Sequence, residues 1–227
     1  MNNNELENRI KSLESMLFRV IDFMAIGADK VTIYEFITYE TVRRQLELDY
    51  ILMEKTPASN FDVYCQHSLF QIENLLNYYY ALKFKNKSEE GYKYFYGENQ
   101  NESDGSKKKF RVSEIPYGTK FTKFAIEFLT KEGKSTTLNW NIQNIAYVRH
   151  STVHRNSVDI SSYEQDVLNK YESLKDKRDR TKEEKEWYAL GVKIQFKQAS
   201  SFSVVKRSTL EFIEIIKPLI EELQKGG

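Results

Sequence analysis

The chain has 227 residues, 40% of them hydrophobic, and its 34 Lys and Arg nearly balance 33 Asp and Glu, for a net charge of +1. This length fits one domain able to bury a core, and the charge balance excludes binding nucleic acid by overall basicity, so any such site must be a local patch. A single cysteine, Cys65, excludes an intrachain disulfide framework, and no run approaches the ~18 apolar residues of a membrane span, so a cytoplasmic protein without membrane contact is expected.

The opening Met1-Asn2-Asn3-Asn4-Glu5 has neither the basic region nor the apolar run of a secretory signal. From Glu5 to Ile26, apolar residues at Leu6, Ile10, Leu13, Leu17, Val20 and Met24 alternate steps of four and three. That spacing predicts a helix whose stripe faces the core or, as the other use, forms a dimer seam. Val31 to Lys55 is a second helical pattern, with a β-branched and aromatic start that weakens its first turns and with Pro57 to end it. Asn60 to Phe84 is the strongest helix, striped by Leu69, Ile72, Leu76 and Tyr79. Gln71, Glu73, Asn74 and Asn77 give it a polar shoulder, the mix an all-α nuclease would set against a catalytic helix.

Asn86 to Gly118 changes character, with four glycines, the polar run Glu98 to Ser106 and the triplet Lys107-Lys108-Lys109. An inserted loop or small hairpin at about 86–118 is expected. Tyr92, Tyr94, Phe95 and Tyr96 surround Lys93 there, a composition suited to stacking single-stranded RNA or to packing rings on the body. Thr119 to Thr130 reads helical and Lys131-Glu132-Gly133-Lys134 turns. Ser135 to Thr137 offer caps to a helix carrying Leu138, Ile142, Ile145 and Val148. Ser162 to Tyr188 is a charged helical stretch with a break around Lys175 to Thr181. Ser203 is the expected cap of a last helix, which Pro218 should kink or end early. The fold class is therefore all-α, about six helices in one bundle spanning residues 1–227 as a single domain.

The last of the central helices runs into Tyr147-Val148-Arg149-His150-Ser151-Thr152-Val153-His154-Arg155-Asn156, which holds two of the chain's three histidines. Cleaving RNA without metal needs a base for the 2′-hydroxyl proton, a cation on the phosphorane-like transition state and an acid for the leaving 5′-oxygen. Histidine suits proton transfer near neutral pH, and arginine stays charged and presents a fork to two phosphate oxygens. On an unbroken α-helix, residues five apart diverge by about 140°. Arg149 and His154 therefore act together only if the helix distorts around Ser151-Thr152-Val153 or if two protomers combine.

An Arg followed by a polar residue, with a His five positions after the Arg, resembles the motif of the HEPN superfamily, all-α domains of toxin–antitoxin, abortive-infection and CRISPR ribonucleases. The resemblance implies a HEPN-like helical bundle and a metal-independent endoribonuclease that cuts single-stranded RNA by 2′-hydroxyl attack, with no cofactor. It implies a homodimer with a composite cleft, and an antitoxin or regulatory partner. It assigns phosphate stabilisation to Arg149, orientation to His150 and acid–base work to His154; from their side-chain chemistry, and not from the resemblance, Arg155 and Asn156 extend the patch as RNA contacts. Asn156 stands where one variant of the family has a Tyr modified by a nucleotidyltransferase partner, which argues against that pairing.

Other readings remain open at this point. The same fold can serve as an inactive RNA- or nucleotide-binding or regulatory module. Cys65 and His67, with His150 and His154, contain every His and the only Cys, and could hold zinc if their helices face each other. A DNA-binding bundle lacks a basic recognition helix.

Overall fold

The computed structural model describes residues 31–97, 111–153 and 160–226, with residues 134–135, 150–153 and 160–162 described by backbone alone. The expected helix at Glu5 to Ile26, the polar run and lysine triplet of the insertion, and His154, Arg155 and Asn156 lie outside the described residues.

The fold is all-α. Its helices are α1 (Glu40–Glu54), α2 (Phe61–Lys83), α3 (Ser88–Tyr96), α4 (Tyr117–Phe124), α5 (Thr137–Val153), α6 (Ile160–Leu174), α7 (Lys182–Ala199) and α8 (Phe202–Lys225). Helix α2 is the axis, with α1, α5 and α8 laid along it. The reason lies in its stripe. Leu69, Ile72, Leu75, Leu76 and Tyr79 are buried, each Leu or Ile worth about 1.5–3 kcal/mol on leaving water. Gln66, His67, Phe70, Glu73, Asn74 and Asn77 stay partly exposed on the opposite side. A main core joins α1, α2, α4 and α8, and a second cluster (Met53, Phe61, Cys65, Leu69, Ile145, Val148, Val205) lies under the far half of α5.

Between α4 and α5 the chain makes one π-helical turn, Ala125–Leu129, and a tight hairpin of Thr130–Lys131 with Lys134–Ser135. Glu132 and Gly133 both take positive φ, 52° and 74°, as a two-residue hairpin turn demands. With α7 also packed on α5 and, through Phe196, on Phe61, helices α6 and α7 form an antiparallel pair. Its turn, at the expected break, is tied by Arg180, which donates to the Leu174 and Lys175 carbonyls, and by a capping box between Thr181 and Glu184.

Four expectations need correction. Residues 31–39 are not helical: Tyr34 and Ile37 are used as wedges into the core, and the helix starts only at Glu40. The first part of the insertion is helix α3 rather than loop or hairpin. A helical repeat carries Tyr92 and Phe95 inward, and Tyr94 lies against Phe84 with its hydroxyl on Glu127, so these rings mostly pack on the body. Ser203 lies inside α8; the cap position is Ser201, which makes no capping hydrogen bond. Pro218 does not end α8, which continues to Lys225. Pro218 and Glu214, whose carbonyl loses its helical donor, are both on the exposed face, where water replaces the missing N–H. Among the described residues, no helix is long and apolar enough to cross a membrane.

Candidate functional site

Helix α5 begins where the Thr136 hydroxyl accepts the Asn139 N–H at 3.3 Å, and it buries Leu138, Ile142, Ile145 and Val148 in one stripe, as their spacing predicts. Arg149 follows Val148 by one residue, about 100° around the helix, and so leaves from the edge of the buried face. Its guanidinium carbon is 5.7 Å from the centre of the Phe70 ring, a cation–π distance. Phe70 belongs to the outer, polar face of α2.

Three residues back on that face, the His67 ring meets Phe70 edge-on, with centroids 6.0 Å apart and planes at 78°. The buried Nδ1 of His67 makes no hydrogen bond among the described residues, but it lies 3.5 Å from Oδ1 of Asp49 on α1. Asp49 is 3% exposed, and its other oxygen accepts from Gln45 Nε2 at 3.2 Å and Asn74 Nδ2 at 3.3 Å. Asp49, His67, Phe70 and Arg149 thus form a line from α1, over α2, to the end of α5.

A second polar group flanks the line on the α4 side. The ammonium of Lys120, itself 2% exposed, donates to the Asn77 carbonyl oxygen. Burial lowers the Lys120 pKa, and the Glu73 carboxylate acts in the opposite sense. The Tyr117 phenol is pushed well up, first by burial and then by Glu73, against the opposing influence of Arg149. Its hydroxyl has no hydrogen-bond partner among the described residues. The Tyr117 ring stacks on Phe121 at 5.7 Å and lines a groove of about 660 Å³ between α4, the π turn and α5. Tyr117 therefore lies within the fields of both the Glu73 carboxylate and the Arg149 guanidinium.

Of the residues singled out by the motif, Arg149 is on this face. His150 falls in the last turn of α5, with only its backbone described, and His154, Arg155 and Asn156 lie outside the described residues. Helix α5 runs through Val153, so the expected distortion at Ser151-Thr152-Val153 is not seen. The zinc arrangement needs correction on its α2 half. Two helical residues diverge by about 200°, and Cys65 faces Met53, Leu69 and Val205 in the core while His67 emerges beside Asp49. Burial is the main cause that holds the Cys65 thiol far above its ordinary pKa, as its place among apolar side chains dictates. Among the described residues, no three His, Cys, Asp or Glu side chains converge as ligands of one ion.

The pairing of His67 with Asp49 is the feature sequence reasoning missed. The i, i+3, i+7 spacing of His67, Phe70 and Asn74 marks one face of α2, but Asp49 joins it only through the packing of α1 on α2. Compared with protein-family models, with curated proteins and with solved structures, the chain matches none.

Proposed function

We propose that the chain is a metal-independent endoribonuclease of HEPN type that cleaves single-stranded RNA, acting in defence or toxin–antitoxin biology. The observation that carries this reading is the position of Arg149, at the end of the apolar helix α5 and over Phe70, on the polar face of the central helix. There its guanidinium can take two oxygens of a phosphodiester while the ring beside it stacks an unpaired base. The attacking 2′-oxygen forms its bond to phosphorus as the bond to the 5′-oxygen breaks, leaving a 2′,3′-cyclic phosphate and a 5′-hydroxyl. Arg149 stabilises the charge that collects on the phosphorane oxygens. His154 supplies the proton to the leaving oxygen, His150 orients, and Arg155 and Asn156 hold the flanking RNA. Because α5 is regular to Val153, the reading relies on two copies of the chain whose motifs line one cleft.

The test is incubation of the purified protein with a labelled single-stranded RNA in EDTA, alongside Arg149→Ala, Arg149→Lys and His154→Ala. Cleavage by the parent, with cyclic phosphate ends and a loss of about 100-fold or more in each variant, is expected. RNA bound but never cut by the parent would replace the nuclease with a binding module of the same fold.

A further inference from the structure

We propose that His67, oriented by Asp49, is the base that takes the 2′-hydroxyl proton in this site. The inference rests on the ribonuclease reading above and adds a group from outside the Arg-His motif. A proton acceptor supplied by the same chain as Arg149 must share its face. His67 does share it. Arg149 lies over the Phe70 ring and His67 meets the same ring edge-on.

The surroundings of His67 are those of a base and differ from those of a core histidine. Asp49 is a carboxylate removed from water, with two amide donors among the described residues, Gln45 and Asn74, on one of its oxygens. Burying a charge in that state is costly, and an apolar side chain of similar volume would be cheaper at a position of purely structural use. Its second oxygen is turned to Nδ1 of His67. A carboxylate there selects the tautomer with the proton on Nδ1, leaving the Nε2 lone pair to accept. The imidazole is 17% exposed although Nδ1 itself is buried, so the open edge of the ring lies away from Asp49. At 3.5 Å the pair is looser than a hydrogen bond, as acid–base pairs often are before substrate closes the site.

The step balances without another reactant. Nε2 of His67 removes the proton from the 2′-hydroxyl, and the 2′-oxygen bonds to phosphorus. The P–O5′ bond breaks, and the 5′-oxygen receives a proton from His154. The imidazolium of His67 then returns its proton to water, and His154 regains one from water. Asp49 touches no reacting atom and is a positioning residue.

Full-length protein carrying His67→Ala, His67→Gln or Asp49→Asn is assayed on single-stranded RNA in EDTA, with and without added imidazole. Circular dichroism and a urea melt monitor the fold. The expected result is a drop in kcat of about 100-fold or more for both His67 variants, with partial recovery of His67→Ala in imidazole. Asp49→Asn should lower kcat and leave KM unchanged. His67→Gln fills nearly the same volume, so it decides the matter if the alanine variant fails to fold. Full activity in His67→Gln beside a dead Arg149→Ala would overturn this role and leave the ribonuclease reading standing. Loss in a folded His67→Ala that imidazole does not relieve would also overturn it, and a parent that cuts no RNA would remove both.

Discussion

Cys65 shows how far burial controls a single group. Its sulfur is enclosed by Met53, Leu69, Ile145, Val148 and Val205, and desolvation disfavours the thiolate, with Asp62 a smaller contributor. The folded protein therefore holds this proton to higher pH than the unfolded chain does. Below the ordinary thiol pKa of ~8.5 both states are protonated and the contribution to stability is complete; above it, unfolding releases a proton and stability falls by up to ~1.4 kcal/mol per pH unit. Urea melts of the parent at pH 7.5 and 9.5 should show this loss relative to Cys65→Val, which has no thiol to titrate. Equal slopes in the two proteins would mean the thiol ionises as easily inside as out. A second buried residue gives a prediction of another kind. The Tyr34 hydroxyl donates to the buried Gln71 Oε1 at 2.6 Å, and Gln71 in turn donates to the His67 carbonyl at 3.0 Å. Tyr34→Phe removes the donor and leaves the amide oxygen buried without it, which should cost about 1–3 kcal/mol in a urea melt.

At the scale of elements, the α6–α7 pair turns on a glycine. A Cβ built on Gly191 would lie 2.6 Å from Cγ of Tyr171, and closer still to its Cβ, so the two helices meet backbone to side-chain root. Gly191→Ala sets two effects against each other: helix propensity favours alanine by about 1 kcal/mol, and overpacking costs about 1–3 kcal/mol. The clash should win, because the Cβ of Tyr171 is fixed to its backbone and cannot rotate away. The variant should be less stable by urea denaturation, whereas a gain would show that α6 and α7 are free to part. The same pair marks what sequence can reveal. Its break was legible in the alternating charges from Lys175 to Arg180, because a solvated turn is marked locally; the capping box of Thr181 with Glu184 was not read there. The stripes of α2 and α5 were legible for the same reason, and with them the place of Arg149 at the edge of a buried face. The non-helical wedge at residues 31–39 was not legible, because Tyr34 and Ile37 obey pockets on α2 and α8 rather than their own neighbours. Of the two effects expected of Pro218, an early end does not occur, because local rules see a missing donor and not the solvent open to the exposed Glu214 carbonyl. The His67–Asp49 pair escaped because its two residues meet only once α1 has packed on α2.

Across the whole molecule, the two ends of the described chain are joined by one side chain. Gln224, near the end of α8, accepts at Oε1 from the Thr38 N–H at 3.1 Å and from the Thr38 and Tyr78 hydroxyls at 2.7 and 2.9 Å, and its Nε2 donates to the Phe36 carbonyl at 2.8 Å. Segment 31–39 has no helix of its own to satisfy its backbone, so this amide replaces a ladder that the segment lacks. The bond network also holds Tyr34 and Ile37 in the main core, since the segment is anchored by those two side chains on one side and by Gln224 on the other. Gln224→Ala should therefore act on the segment more than on the bundle. Global stability should fall by about 1–2 kcal/mol, because the network is partly open to water and each bond contributes little net. Cleavage of residues 31–39 by a nonspecific protease under native conditions should accelerate by more than that global loss accounts for, since local opening needs only the wedge to lift. Gln224→Glu separates the two halves of the network: it keeps an acceptor for Thr38 and Tyr78 but turns an oxygen toward the Phe36 carbonyl, and should fall between the parent and the alanine variant. If proteolysis in Gln224→Ala rises only in step with global unfolding, the segment is held by its buried side chains alone. The wedge would then be as integral to the core as the helices it packs against.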